Sequence, residues 1–263
     1  MAILDLLRKK ALPAHPIVAY ALLDAPREPD VEEIATALRM GDAGTDVVVP
    51  SEGAARGLTV AGEGFALTLI PMPFPWSDLE GPCATAWWWP EAADVLRSAN
   101  AHLIVAATGA SGDPFERHLR ATSVVAAVIA STKSLGVYWG GAATVHAAAE
   151  FTAQADAASR ELLPLRLWVD FRIEPQGNDH FLFATTGLSA FGLMEVECVA
   201  HVGSPDEIER LDGRVFSVAH YLCDHGPVLL DGHTIGMSED EHIQIRHQAS
   251  CWPGRGKVIR LYL

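Results

Sequence analysis

A chain of 263 residues, 49% hydrophobic and 20% charged, with seven Trp and nine Phe, carries ample apolar surface for a buried core, which excludes a disordered polymer. Nineteen basic residues against 33 acidic ones give a formal net charge of -14, which repels phosphate backbones and anionic headgroups. Nucleic acid and membrane surfaces are therefore not expected as partners, whereas a basic protein, such as a toxin or a regulatory protein, fits the charge.

In chain order, Pro16 to Asp24 is a continuous apolar run that suits a buried strand. Asp30 can cap a helix from Val31 to Met40, with Ile34, Ala35 and Leu38 on one face, and a strand follows at Asp46 to Pro50. Gly57 to Pro71 alternates around a break at Gly62 to Gly64, as a hairpin or a bulged strand would. After the rigid PMPFPW turn, Pro90 opens a helix to about Asn100, and AHLIVAATG supplies a strand. This strand, helix, strand, strand, helix, strand order predicts a ferredoxin-like sandwich.

Asp113 and Pro114 then open a helix to about Thr132 that is apolar around much of its circumference, as in an element buried between layers. The strand LGVYWGG and an alanine-rich helix from Thr144 to about Ser159 form the expected hinge. Beyond it, LRLWVDFRI, HFLFATTG and MEVECVAHV read as an antiparallel meander. In the last of these, Val196, Cys198 and Ala200 share one face, and Glu195, Glu197 and Val199 the other. A helix from Ser204 or Asp206 carries Ile208, Leu211, Val215, Val218 and Leu222 as an amphipathic stripe. HIQIRHQ and KVIRLYL are the final strands. The expected fold class is α+β, two ferredoxin-like α/β sandwich halves with mainly antiparallel sheets packed together, residues 1–135 and 136–263.

The four cysteines form no C-x-x-C pair and read as reduced thiols. The start MAILDLLRKK puts its apolar residues before its charges, the reverse of a secretory signal, and no apolar run approaches the roughly 20 residues that span a bilayer. The expected location is cytoplasmic.

Four groups of residues could carry a site. In ATTGLSAFGLMEVE, Gly187 and Gly192 could turn backbone N–H groups outward as an anion nest, or could simply bulge a strand entering the meander. His220, Cys223, Asp224, His225, Asp231 and His233 are a dense set of metal-ligand types, with His225, Asp231 and His233 the candidates. Against a metal, His220 lies off the apolar stripe, His225 suits a helix C-terminus, and Asp231-Gly232 is an ordinary turn pair. His146 and Glu150 sit i, i+4 on the expected alanine-rich helix, as a two-ligand pair or a surface pair. Last, Trp76, Trp87, Trp88 and Trp89 gather around one turn and one helix start. Three consecutive Trp cannot all point inward, so they either anchor a partner or pack the two halves.

The chain has no G-x-G-x-x-G, P-loop Lys, G-x-S-x-G or H-E-x-x-H, so no cofactor is expected and the balance tilts away from an enzyme. The leading expectation is a non-catalytic protein-interaction module. The alternatives are a metal-dependent hydrolase or a small-ligand binder using the cleft between the halves, and the oligomeric state stays open.

The stretches PMPFPWSDLE, WWWPEAADVLRSANAHLIVAATG, GVYWGG, LPLRLWVDF, TTGLSAFGLMEVE and AHYLCDHGPVLLDGHTIG together resemble the family named domain of unknown function 4261. The most specific pieces are Thr186-Gly187-Leu188 with Phe191-Gly192 and Glu195, and Asp231 to Gly236. The resemblance runs from about Pro16 to the C-terminus and implies a shared fold, with no chemistry attached.

Overall fold

In a computed structural model, residues 16–41, 44–50, 56–109, 112–236 and 242–263 are described; the start MAILDLLRKK falls outside them. The fold is α+β, with two mostly antiparallel sheets. The first contains β1 (Val18–Leu23), β2 (Val47–Val48), β3 (Gly57–Val60), β4 (Glu63–Ile70), β5 (Ala101–Ala107), β6 (Gly136–Trp139) and β7 (Thr144–Ala147), in the order β2-β3-β4-β5-β1-β6-β7. The second contains β8 (Asp170–Gly177), β9 (His180–Thr186), β10 (Val196–His201), β11 (Thr234–Ile235), β12 (Ile243–Ala249) and β13 (Lys257–Tyr262), in the order β11-β12-β13-β10-β9-β8. The expected meander is present as β8, β9 and β10, and β13 joins β10 in parallel.

Local chemistry explains most elements. Asp30 accepts the N–H groups of Glu32 and Glu33 and starts α1 (Val31–Gly41), which buries Ile34, Ala35 and Leu38. The β3-β4 hairpin turns through Ala61 and Gly62, both at positive φ, the two-residue geometry whose twist matches the flanking strands. Asp113 accepts from Phe115 and Glu116 at the head of α4 (Pro114–Thr132). α7 (Pro205–His225) buries Leu211, Val215, Val218 and Leu222, the expected stripe, and ends at Gly226 with φ 79.

One apolar core runs without a break through residues of both sheets and α4, including Leu103, Val128, Trp168, Phe183 and Ile259. A smaller cluster, Leu22, Leu79, Cys83, Trp89, Leu96 and Val145, packs α2 (Trp76–Thr85) and α3 (Ala92–Leu96) against the first sheet.

Three expectations are corrected. In a ferredoxin-like order the first strand sits between the third and fourth of the motif. Here β4 and β5 pair directly, and β1 lies outside them with β6 on its far side. The expected helix from Thr144 begins instead with β7, because the Gly140-Gly141 turn returns the chain alongside β6 and Val145 pairs with Tyr138; α5 (Ala148–Ala157) follows. The chain therefore leaves the first sheet after β7. Finally, LRLWVDFRI splits after Pro164 into the short helix α6 (Leu165–Trp168) and β8, and the Trp168 indole donates to the Thr122 hydroxyl at 2.8 Å, tying this segment to α4.

An aromatic pocket as the candidate functional site

The turn between α2 and α3 carries Trp87, Trp88 and Trp89, whose side chains differ in exposure and partners. Trp89 is buried, and its ring lies where a side chain on Gly136 would have to sit: a Cβ there would come within 2.8 Å of the indole. Trp88 is half-buried; its indole N–H donates to the Val145 carbonyl at 3.1 Å, and its ring stacks on His146 with 20° between planes. Trp87 points outward at 52% exposure, edge-on to Trp88 at 5.7 Å. Trp76 stands apart from this group. It packs on the smaller cluster with the Arg97 guanidinium 3.8 Å above its ring.

Beside these rings is a cavity of about 310 Å³ lined by Trp88, Trp89, His146, Ala147, Glu150, Gln154, Arg166, Val169 and Phe171. An aromatic-walled cleft with a few convergent polar groups is the usual form of a binding site. Its residues come from the Trp turn, β7, α5, α6 and the start of β8, so it opens where the two sheets meet. His146 and Glu150 both reach it, but from a strand and from the next helix rather than from one helix face.

The electrostatics of the lining are specific. His146 is fully buried, and its Nδ1 has no hydrogen-bond partner. Burial pushes its pKa down to about 3, so the imidazole is neutral at physiological pH. Arg166 pairs with Asp212 at 2.6 Å, and its guanidinium lies over Phe216 at 5.0 Å, Phe171 at 5.1 Å and Trp87 at 5.6 Å. Glu150 is exposed, and one of its oxygens accepts the Gln154 amide at 2.9 Å. Arg166 and Phe171 were not singled out in the sequence, and no local pattern there announces them.

The remaining candidates resolve differently. The glycine nest is real, and it is filled from within the chain. Gly187, at φ 127, and Ser189 donate their N–H groups to Glu195 Oε1 at 3.0 and 3.1 Å, and the Thr185 hydroxyl donates to Oε2 at 2.7 Å. The three metal candidates are each engaged separately. His225 hydrogen-bonds the Tyr221 carbonyl at 3.0 Å and stacks on its ring; Asp231 accepts the His247 N–H at 2.8 Å; His233 Nδ1 accepts from the Leu230 N–H. Earlier in α7, His220 pairs with Asp224 at 3.0 Å, while burial raises the Cys223 thiol to about 12. Among the described residues, no group of three or more His, Cys, Asp or Glu is placed to hold a metal ion.

A second cleft, about 350 Å³, is lined by Asp170, Arg172, Thr186 and Arg255 among others. One ion pair lies within it. Arg172 pairs with buried Asp170 at 2.8 Å, while Arg255 donates to Thr186 and lies 4.0 Å over Trp252.

Fold and site together define an α+β protein of two packed sheets with an aromatic pocket where they meet. The family described as domain of unknown function (DUF4261) matches residues 184–262, the stretch from β9 to β13 that builds most of the second sheet. It is the family whose motifs the sequence resembles, here matched over a shorter span that includes the Glu195 nest and none of the pocket lining. No curated protein and no solved structure matches the chain. Among the described residues, no helix is long and apolar enough to cross a membrane.

Proposed function

We propose that the protein is a non-catalytic, cytoplasmic interaction module that holds a basic protein partner at the Trp87–Trp88 rim and the pocket behind it. The carrying observation is Trp87. An indole that is 52% exposed, yet braced edge-on by a neighbour whose own N–H is tied to Val145, is a preorganised anchor rather than a loose surface residue. The lining groups favour binding over chemistry, because burial holds His146 far below the pH range in which a general acid–base group works and Arg166 is already paired. The net charge of -14 favours a basic partner by steering its approach. Four free cysteines, three of them buried, accord with a reducing compartment.

The test is affinity capture from the native cell with the wild-type chain and with Trp87→Ala. A basic protein should be recovered by the first and lost from the second, with the thermal unfolding of the two chains alike. Identical captured sets would overturn the proposal.

A further inference from the structure

Resting on that reading, we infer that the pocket takes a cationic side chain of the partner, an arginine guanidinium in preference to a lysine ammonium. Trp88, Trp89 and Phe171 are among its lining residues, and indole and phenyl faces carry the negative side of the ring quadrupole. The site already shows this preference internally. The Arg166 guanidinium rests among Trp87, Phe171 and Phe216 at 5.0 to 5.6 Å.

Charge decides the sign of the occupant. Arg166 is neutralised by Asp212 at 2.6 Å, and neutral His146 adds no positive charge, which leaves the Glu150 carboxylate as the unbalanced group of the lining. The Gln154 amide fixes one Glu150 oxygen at 2.9 Å, and the other has no partner among the described residues. An anionic occupant would have to share Arg166 with Asp212 and also lie beside Glu150. A cation meets aromatic faces and a carboxylate that is already oriented. A planar guanidinium can stack on an indole while donating sideways to that carboxylate, which a compact ammonium cannot do in one pose.

The experiment titrates the full chain with N-acetyl-arginine methylamide, N-acetyl-lysine methylamide and N-acetyl-glutamate methylamide, following the Trp88 indole N–H resonance. Arginine should bind saturably and move that resonance, lysine should bind more weakly, and glutamate should not bind. Glu150→Gln should weaken arginine about fivefold, the upper range for one exposed charge pair. Glu209→Gln, an exposed carboxylate on α7, should leave it unchanged. Glutamate binding as tightly as arginine, or equal losses in the two variants, would overturn the inference, the second by showing a response to bulk charge alone. If no probe moves Trp88 while Trp87→Ala still abolishes partner capture, the cation inference fails and the interaction surface stands. If Trp87→Ala changes nothing in capture, the surface itself is wrong.

Discussion

Replacing Glu195 with Ala tests whether the glycine-rich turn between β9 and β10 is held by a carboxylate or by its own backbone. Glu195 receives three donors, and they differ in what happens once it is gone. Thr185 and Gly187 are buried, so their donors lose a charged acceptor without gaining water, whereas Ser189 is exposed and resolvates. A hydrogen bond to a charged group contributes about 1.5 to 3 kcal/mol net, so losing two buried ones should cost about 3 to 6 kcal/mol. Glu195→Gln keeps the shape and an acceptor oxygen for the two N–H groups but loses the charge, and should cost about half as much. Equilibrium urea unfolding followed by tryptophan fluorescence measures both, with an unchanged slope marking a true loss of native stability. A Glu195→Ala chain within about 1 kcal/mol of wild type would refute the reasoning, since water would then serve the nest as well as the carboxylate does.

Two further outcomes follow from buried charge. In the unfolded chain His146 titrates near its ordinary 6.5, and in the folded protein at about 3, so the unfolded state binds the extra proton between these values. Stability from this group is full above 6.5 and falls by about 1.4 kcal/mol per pH unit as the pH drops toward 3. His146→Phe should flatten the urea-derived stability profile over that window, and an unchanged slope would show that His146 does not titrate as described. The second outcome concerns Glu197, which is buried under Arg260, the Ser250 hydroxyl and the Cys251 N–H. Glu197→Leu and Arg260→Met should each cost about 3 to 5 kcal/mol by stranding a charge, and the double variant should cost clearly less than their sum. Additive losses in a double-mutant cycle would show that the two do not act as a pair.

The parts of the fold that were legible in the sequence are those governed by neighbours along the chain. The α7 stripe, the Asp30 and Asp113 caps and the alternation of β10 follow from local period and local hydrogen bonding. The turn glycines were also visible, but not their occupant. Nothing in TTGLSAFG specifies that Glu195 folds back into the nest rather than an external anion entering it. Alternation set Glu197 opposite the Val196 face, yet did not show that this side is also covered. The residues that cover it lie more than 50 positions later, on or before β13, which joins β10 in parallel. The start of β7 was lost because alanine's helix propensity in the stretch after Thr144 outweighed the pairing imposed by β6. At the pocket, the Trp run was conspicuous by composition. Arg166 was not, because its role depends on Asp212, 46 positions away, and on aromatic rings from β8 and α7.

The three consecutive Trp residues divide one structural task. Trp89 closes over Gly136, the position in β6 where a Cβ would meet the ring at 2.8 Å and the His146 carbonyl at 2.7 Å, so the turn is pinned to the first sheet through its core. Trp88 carries that constraint outward. Its N–H is bonded to Val145 and its face stacks on His146, which places a polar strand residue behind an aromatic wall and restricts the rotamers open to the indole. Trp87 then projects from a support that is already rigid. A side chain of its size on a mobile loop would lose conformational entropy on contact, whereas here that loss is incurred on folding. The exposed indole and the pocket are thus two faces of one braced turn, and a ligand that engages either one meets a surface set by the packing of the first sheet.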